Sequence, residues 1–256
     1  MESIEKKSRI LGFAFIIQFV TSFTCGVFLQ PRATGVHGFE LPENIGETMA
    51  HIAKNASLLQ LTIVMELVTA SGVIFLGAIL YATVGKRNKG MALTAFGLYV
   101  LEGVFIAVKM LLLFALLVIS RQFVAAGSSL PLEPNATVIY EVMSYASKIL
   151  NFAFCLGGTI FYALLYTSRV VARPMSLWGL ASVQGVFIGV LLGLFGKQFP
   201  VYLAVAYIPF ELVIGIYLIV KGTKGESGLS NVDIREPLLT GYGWFPWAIN
   251  TYGVKK

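Results

Sequence analysis

Six long apolar runs divide this chain, and no other feature limits its possible folds as much. They lie near Ile10–Leu29, Leu58–Val84, Met91–Ile119, Tyr145–Tyr166, Ser176–Gly196 and Val201–Val220. Each supplies the roughly 20 helical residues that cross a hydrocarbon core. Lipid offers no partner for a backbone N–H or C=O, so a spanning segment must satisfy its own, as a helix or in a closed barrel. Barrel strands are short and alternate in polarity. These runs are long and continuous, so they predict helices. Composition agrees: 57% of the 256 residues are hydrophobic and only 12% charged. A soluble chain so apolar would expose large sticky patches. The expected fold is an all-α integral membrane protein, a bundle of six transmembrane helices over residues 1–222. Residues 223–256 form an aromatic-rich tail.

Lysine and arginine set the expected orientation. Lys6, Lys7 and Arg9, then Lys86, Arg87 and Lys89, then Arg169 and Arg173, then Lys221 and Lys224 mark one set of span ends. The other set carries Arg32, Lys54, Arg121 and Lys197, with Lys148 at its border. By the positive-inside rule the first set is cytoplasmic, and with it both termini, in the cell membrane. The first run has a basic flank like a signal peptide, but it is long for one and lacks a small-x-small cleavage site; it is expected to be retained. The net charge of +6 reports topology and contact with anionic lipid, with no nucleic-acid partner. "ENIGETMAHIAKNAS" has helical spacing and is expected to lie flat on the outer surface. Asn55-Ala-Ser and Asn135-Ala-Thr are glycosylation sequons in expected outer loops. In the tail, Trp244, Phe245 and Trp247 suit a headgroup layer or a partner protein.

Three of the thirteen acidic residues fall inside spans: Glu66, Glu102 and Glu211. A charge at the bilayer centre costs on the order of 2.5–3.5 kcal/mol on the mildest scale. Such groups must face protein or water, pair, or be neutral. At about 1.5 Å of rise per residue, all three sit near or just outside the midplane. Lys109 follows Glu102 by almost two turns on the same face, about 10 Å further outward. Lys148 opens the fourth run. The reading is one carboxylate layer with two ammonium groups above it. Polar residues repeat at helical spacing around the layer: Gln18, Ser22 and Cys25; Thr62, Glu66 and Thr69; Lys148, Asn151, Cys155, Thr159 and Tyr162; and Tyr207 one turn from Glu211. Ala181, Gly185, Gly189 and Gly193 make a small-residue ridge for close packing, within the bundle or between protomers of a homo-oligomer or membrane complex. Pro209 is expected to kink the sixth helix beside Glu211.

Two functions follow from these residues. In one, Glu66, Glu102, Lys109, Lys148, Asn151 and Glu211 bind or pass a small polar or cationic ligand, or protons. In the other they are packing ion pairs in an accessory subunit, with Gly185, Gly189 and Gly193 or the tail as its contact. Catalysis is not expected. There is no His-rich cluster, no His-Glu-x-x-His, no Gly-x-Ser-x-Gly and no Walker loop, and neither metal nor cofactor is called for.

"KKSRILGFAFIIQFV", "YVLEGVFIAVKMLL" and "PFELVIGIYLIVKG" resemble the multi-pass membrane family catalogued as domain of unknown function 4386. The resemblance runs from about Ser8 to Gly222, and Glu211, Leu212, Val220, Lys221 and Gly222 carry its best part. It implies six or seven membrane helices and no established activity.

Overall fold

The computed structural model describes residues 2–36, 42, 44–127, 131–197 and 202–222, with backbone only for 2–7. Trp244, Phe245 and Trp247 lie outside these residues, as do His37, Glu40 and Glu43. The described elements are helical: α1 (Glu2–Phe23), a π-helical turn (Thr24–Leu29), α2 (Gln30–Thr34), α3 (Ile45–Lys54), α4 (Ala56–Val84), α5 (Lys89–Ala125), α6 (Glu133–Ser168), α7 (Arg173–Leu194), α8 (Tyr202–Val205) and α9 (Ile208–Lys221). Six spans are long and apolar enough to cross a membrane: Ser8–Thr34, Ala56–Val84, Lys89–Ala125, Glu133–Ser168, Arg173–Leu194 and Tyr202–Lys221. This is a multi-pass membrane protein.

Caps explain several boundaries. Asn88 accepts from the Met91 amide at 3.0 Å and starts α5. Asn44 accepts from the Glu47 amide and donates to its carboxylate, a reciprocal cap that starts α3. Arg169 closes α6 with a left-handed φ of 57°, and Pro174 sits in the first turn of α7, where its missing N–H costs no hydrogen bond.

Each span packs on its sequence neighbour, and α9 closes against α1. Glycines set the closest approaches. A Cβ on Gly12 would lie 2.7 Å from the Gly215 carbonyl oxygen. One on Gly103 would lie 2.9 Å from the Ala70 carbonyl oxygen. Without side chains the backbones meet directly, which suits a membrane where packing rather than water drives association. Ser8 adds a hydrogen bond to the Leu218 carbonyl at 2.9 Å across the α1–α9 seam.

The core has two parts. Phe15, Leu76, Tyr99, Phe161, Tyr162, Val183 and Phe210 knit all six spans at the end bearing Arg9, Lys86 and Lys221. At the far end, Met49 and Ile52 of α3 join Leu59, Leu113, Leu116 and Met143. The apolar face of α3 is therefore covered by α5, α6 and α4, rather than laid on the lipid surface. The reason is length. With 37 residues α5 rises about 55 Å, well beyond a core of about 30 Å. Its projecting end gives α3 a protein surface. The fourth span also starts earlier than its apolar run, at Glu133, because packing on α5 carries the polar "EPNATVIYEVMS" into helix. Asn135 lies in that first turn rather than in a loop.

The sixth span is broken, not kinked. α8 ends at Val205, and α9 begins at Ile208 with Pro209 in its first turn. Pro209 has no N–H for the Val205 carbonyl. The Phe210 amide turns to the Tyr207 carbonyl at 3.0 Å. That leaves the Ala206 carbonyl to be met from another helix, by the Trp178 indole N–H at 3.1 Å.

Candidate functional site

The carboxylates do not form one layer under two lysines. The helix crossings divide them. Ala70 lies against Gly103, and Gly77 against Tyr99, so α4 and α5 run antiparallel here. Glu66, one turn beyond Ala70, falls toward Lys109 rather than Glu102. The Cys25 thiol of the π-helical turn lies within electrostatic reach of both Glu66 and Lys109. The Lys109 ammonium donates to the Gln30 side-chain oxygen at 3.0 Å. Glu66, Lys109, Cys25 and Gln30 thus make an outer group.

The second group lies deeper. Glu102 comes from α5 and Glu211 from the first turn of α9, and the two are within electrostatic range of each other. The Tyr207 hydroxyl donates to Glu211 Oε1 at 2.9 Å. The Tyr162 and Tyr207 hydroxyls share a second bond of 2.9 Å. The Tyr99 phenol lies beside Tyr162, with its ring edge-on to Phe161 at 5.1 Å. Phe210 holds the Tyr162 ring edge-on at 5.1 Å, and Phe154 does the same for Tyr207. Gly77 and Gly157 make the slot for Tyr99; a Cβ on either would touch its side chain at 2.9 and 2.8 Å.

Glu102 is 8% exposed, and its Oε2 has no protein hydrogen-bond partner. Gln18 is 6% exposed, and its Oε1 also lacks one. That oxygen lies 2.9 Å from where a Cβ on Gly72 would stand. Gly72 falls between Ala70 and Gly77, so Gln18 enters at the level of Glu102. Two buried acceptors and a third on Glu211 therefore approach one level of the bundle from the first, third and sixth spans.

The lysines do not reach them. Lys109 is held by Gln30. Lys148 lies over the Tyr145 ring, 4.5 Å from its centroid, and Tyr145 is exposed. Among the described residues no ion pair joins Glu66, Glu102 or Glu211 to either lysine. Asn151 donates to the Ser147 carbonyl of its own helix at 2.7 Å. Much of the polar striping is satisfied in the same local way: Thr62 bonds the Leu58 carbonyl, Thr69 that of Met65, Ser22 that of Gln18. Hydroxyls bonded one turn back need no wet face. Thr159 bonds the Cys155 carbonyl and accepts from Gln184 at 2.6 Å, tying α6 to α7. Both cysteines are buried and free. In the small-residue ridge, a Cβ on Gly185 would meet the Leu203 carbonyl at 2.9 Å, inside the protein, while Gly193 faces open space. A pocket of about 510 Å³ lies away from all of these, at the far end, bordered by Thr34, Asn44, Glu47 and His51.

A family model described as Domain of unknown function (DUF4386) matches residues 10–222. The chain belongs to that family. The match covers every described span apart from the first two residues of the first, Ser8 and Arg9, and contains both groups. No curated protein and no solved structure matches the chain. Within this DUF4386 protein, sequence reasoning missed Gln30 and Tyr99. Gln30 lies past the first apolar run and enters only because a π-helical turn continues the helix to it. Tyr99 precedes Glu102 by three residues, a same-face spacing that was available.

The separation of Glu102 from Lys109 has a measurable consequence. Combining Glu102→Gln with Lys109→Met should give the sum of the single effects on stability, within about 0.5 kcal/mol. Pairing Lys109→Met with Gln30→Leu should instead show a coupling of at least about 0.5 kcal/mol, as for groups in contact. Double-mutant cycles from denaturation in detergent read both. Strong coupling of Glu102 to Lys109 would mean that the two pair directly.

Proposed function

We propose that this DUF4386 protein binds a small cationic ligand or protons between Glu102 and Glu211 and passes it across the cell membrane. One observation carries the reading. Glu102 brings a buried oxygen without a partner within electrostatic range of a second carboxylate, and among the described residues no lysine pairs with either. Intramembrane ionisable groups are costly, and a pure packing role would place a counter-charge on them. Gln18 offers a neutral acceptor at the same level. The break before α9 puts Glu211 in the first turn of a half-helix, where its dipole favours a negative group. The orientation that goes with this reading has both termini cytoplasmic, from the lysine and arginine distribution. No catalytic step is assigned.

A second reading is an accessory subunit of a membrane complex. Its support is the far end of α5 and α6, which with α3 rises well beyond a hydrocarbon core and makes a platform for another protein.

The test is flux into proteoliposomes driven by a membrane potential, with sodium, rubidium, methylammonium and protons as probes. Wild type should carry at least one of them above protein-free vesicles, and Glu102→Gln and Glu211→Gln should each remove that flux. If no probe moves, or both variants carry it as well as wild type, the proposal fails.

A further inference from the structure

Resting on the carboxylate-pair reading, we infer that the species carried is the proton, and that Tyr162 and Tyr207 form the hydrogen-bond wire joining Glu102 to Glu211. A phenol has one hydrogen to donate. Tyr207 gives its hydrogen to Glu211 Oε1. In the 2.9 Å contact between the two hydroxyls, Tyr162 must then be the donor. The chain has one direction, Tyr162 to Tyr207 to Glu211, and the Tyr162 oxygen is left with lone pairs free to accept. Tyr99 lies beside Tyr162, one turn from Glu102 on the same helix face. A water between these hydroxyls and the partnerless Glu102 oxygen completes the proposed chain at that end.

This chain has a second state of equal bond count. When Glu102 carries a proton it becomes a donor. It passes that proton along the bridge to the Tyr162 oxygen. Tyr162 releases its own hydrogen to Tyr207, and Tyr207 releases its own to Glu211. At each intervening oxygen one O–H bond forms and one breaks, while Glu102 loses one and Glu211 gains one. Glu102 ends as carboxylate, Glu211 as carboxylic acid, and both phenols are neutral before and after. No oxidant or further reactant is needed. The hydroxyls then point the opposite way, and rotation of each O–H resets the chain. The rings themselves stay fixed by Phe210, Phe154 and Phe161, so only hydrogens move. The titratable groups around the chain are Tyr99 and Glu102 from α5, Tyr162 and Cys155 from α6, and Tyr207 and Glu211 at the start of the sixth span's longer helix.

Proteoliposomes holding the full chain and an entrapped pH dye, under an imposed potential, test this. Tyr162→Phe and Tyr207→Phe each keep the ring and delete the oxygen. Each should lower proton flux at least tenfold while the melting profile shows a folded protein. Infrared difference spectra of wild type on acidification should show a carboxyl band gained with a phenol band shifted, and the carboxyl band should move in Tyr207→Phe. Proton flux unchanged in both variants, or no coupled phenol band in wild type, overturns the wire. If sodium, rubidium or methylammonium flux depends on Glu102 and Glu211 while proton flux stays at the vesicle background, the site reading stands and the wire fails. If nothing crosses, both fail.

Discussion

Gly12→Leu is expected to detach the last span from the first. The site of a Cβ at Gly12 lies 2.7 Å from the Gly215 carbonyl oxygen and 2.7 Å from Ile219 Cγ1. From the other side, a Cβ at Gly215 would lie 2.7 Å from Ile16 Cγ1 and 3.0 Å from the Gly12 carbonyl oxygen. The obstacle is backbone on both sides, so no rotamer change relieves it. Overpacking in a formed core costs about 1–3 kcal/mol. Here the helices must also part, and the Ser8 bond to the Leu218 carbonyl goes with them. Separation of α9 from α1 would also move Glu211 relative to Tyr162. Thermal denaturation in detergent should show Gly12→Leu well below wild type, with Gly12→Ala between them. A disulfide introduced between the first and last spans should form more slowly in the leucine variant. A leucine variant within about 0.5 kcal/mol of wild type would rule out so close a crossing.

Glu102→Leu should stabilise the protein while abolishing the proposed flux. A buried polar atom without a partner costs about 1–3 kcal/mol, and replacing it by an apolar group of similar size recovers that amount. Since Glu102 Oε2 has no protein partner, the variant should gain stability on that order. Its flux should fall to that of empty vesicles. Stability given up at a working site is a familiar trade. The measurement is a melting midpoint in detergent set beside flux in vesicles for the same preparation. A loss of stability in Glu102→Leu would show that a protein group partners the carboxylate after all.

Much of the architecture was legible because lipid narrows the choices. Six apolar runs leave little alternative to six helices, and their approximate positions follow from hydropathy alone. Their ends were less legible. The segment before Tyr145 is polar, yet it is helical from Glu133 because α5 extends beside it. The segment around Pro209 is apolar throughout, yet it breaks, because the freed Ala206 carbonyl finds Trp178 on another span. Hydropathy reports the preferred solvent of a segment, not the neighbour that completes its hydrogen bonds.

The candidate site divides in the same way. Glu66, Glu102 and Glu211 could be picked out from one sequence, because a carboxylate in an apolar helix is costly wherever it points. A fixed rise per residue orders them along their helices. Partners did not follow, because depth leaves rotation and crossing angle open. Counted by rise alone, Lys109 and Lys148 fall above the carboxylates. One is held by Gln30 at the end of a π-helical turn, and the other lies over Tyr145. The glycine contacts that bring Ala70 to Gly103 and Gly12 to Gly215 decide which polar groups meet. By itself the sequence determined that this chain spans a membrane as helices and holds three acids within it, since both are properties of single segments in lipid. Only the tertiary structure decided that Glu102 has a partnerless oxygen and that Glu211 ends a chain of tyrosines, since those depend on how separate helices cross.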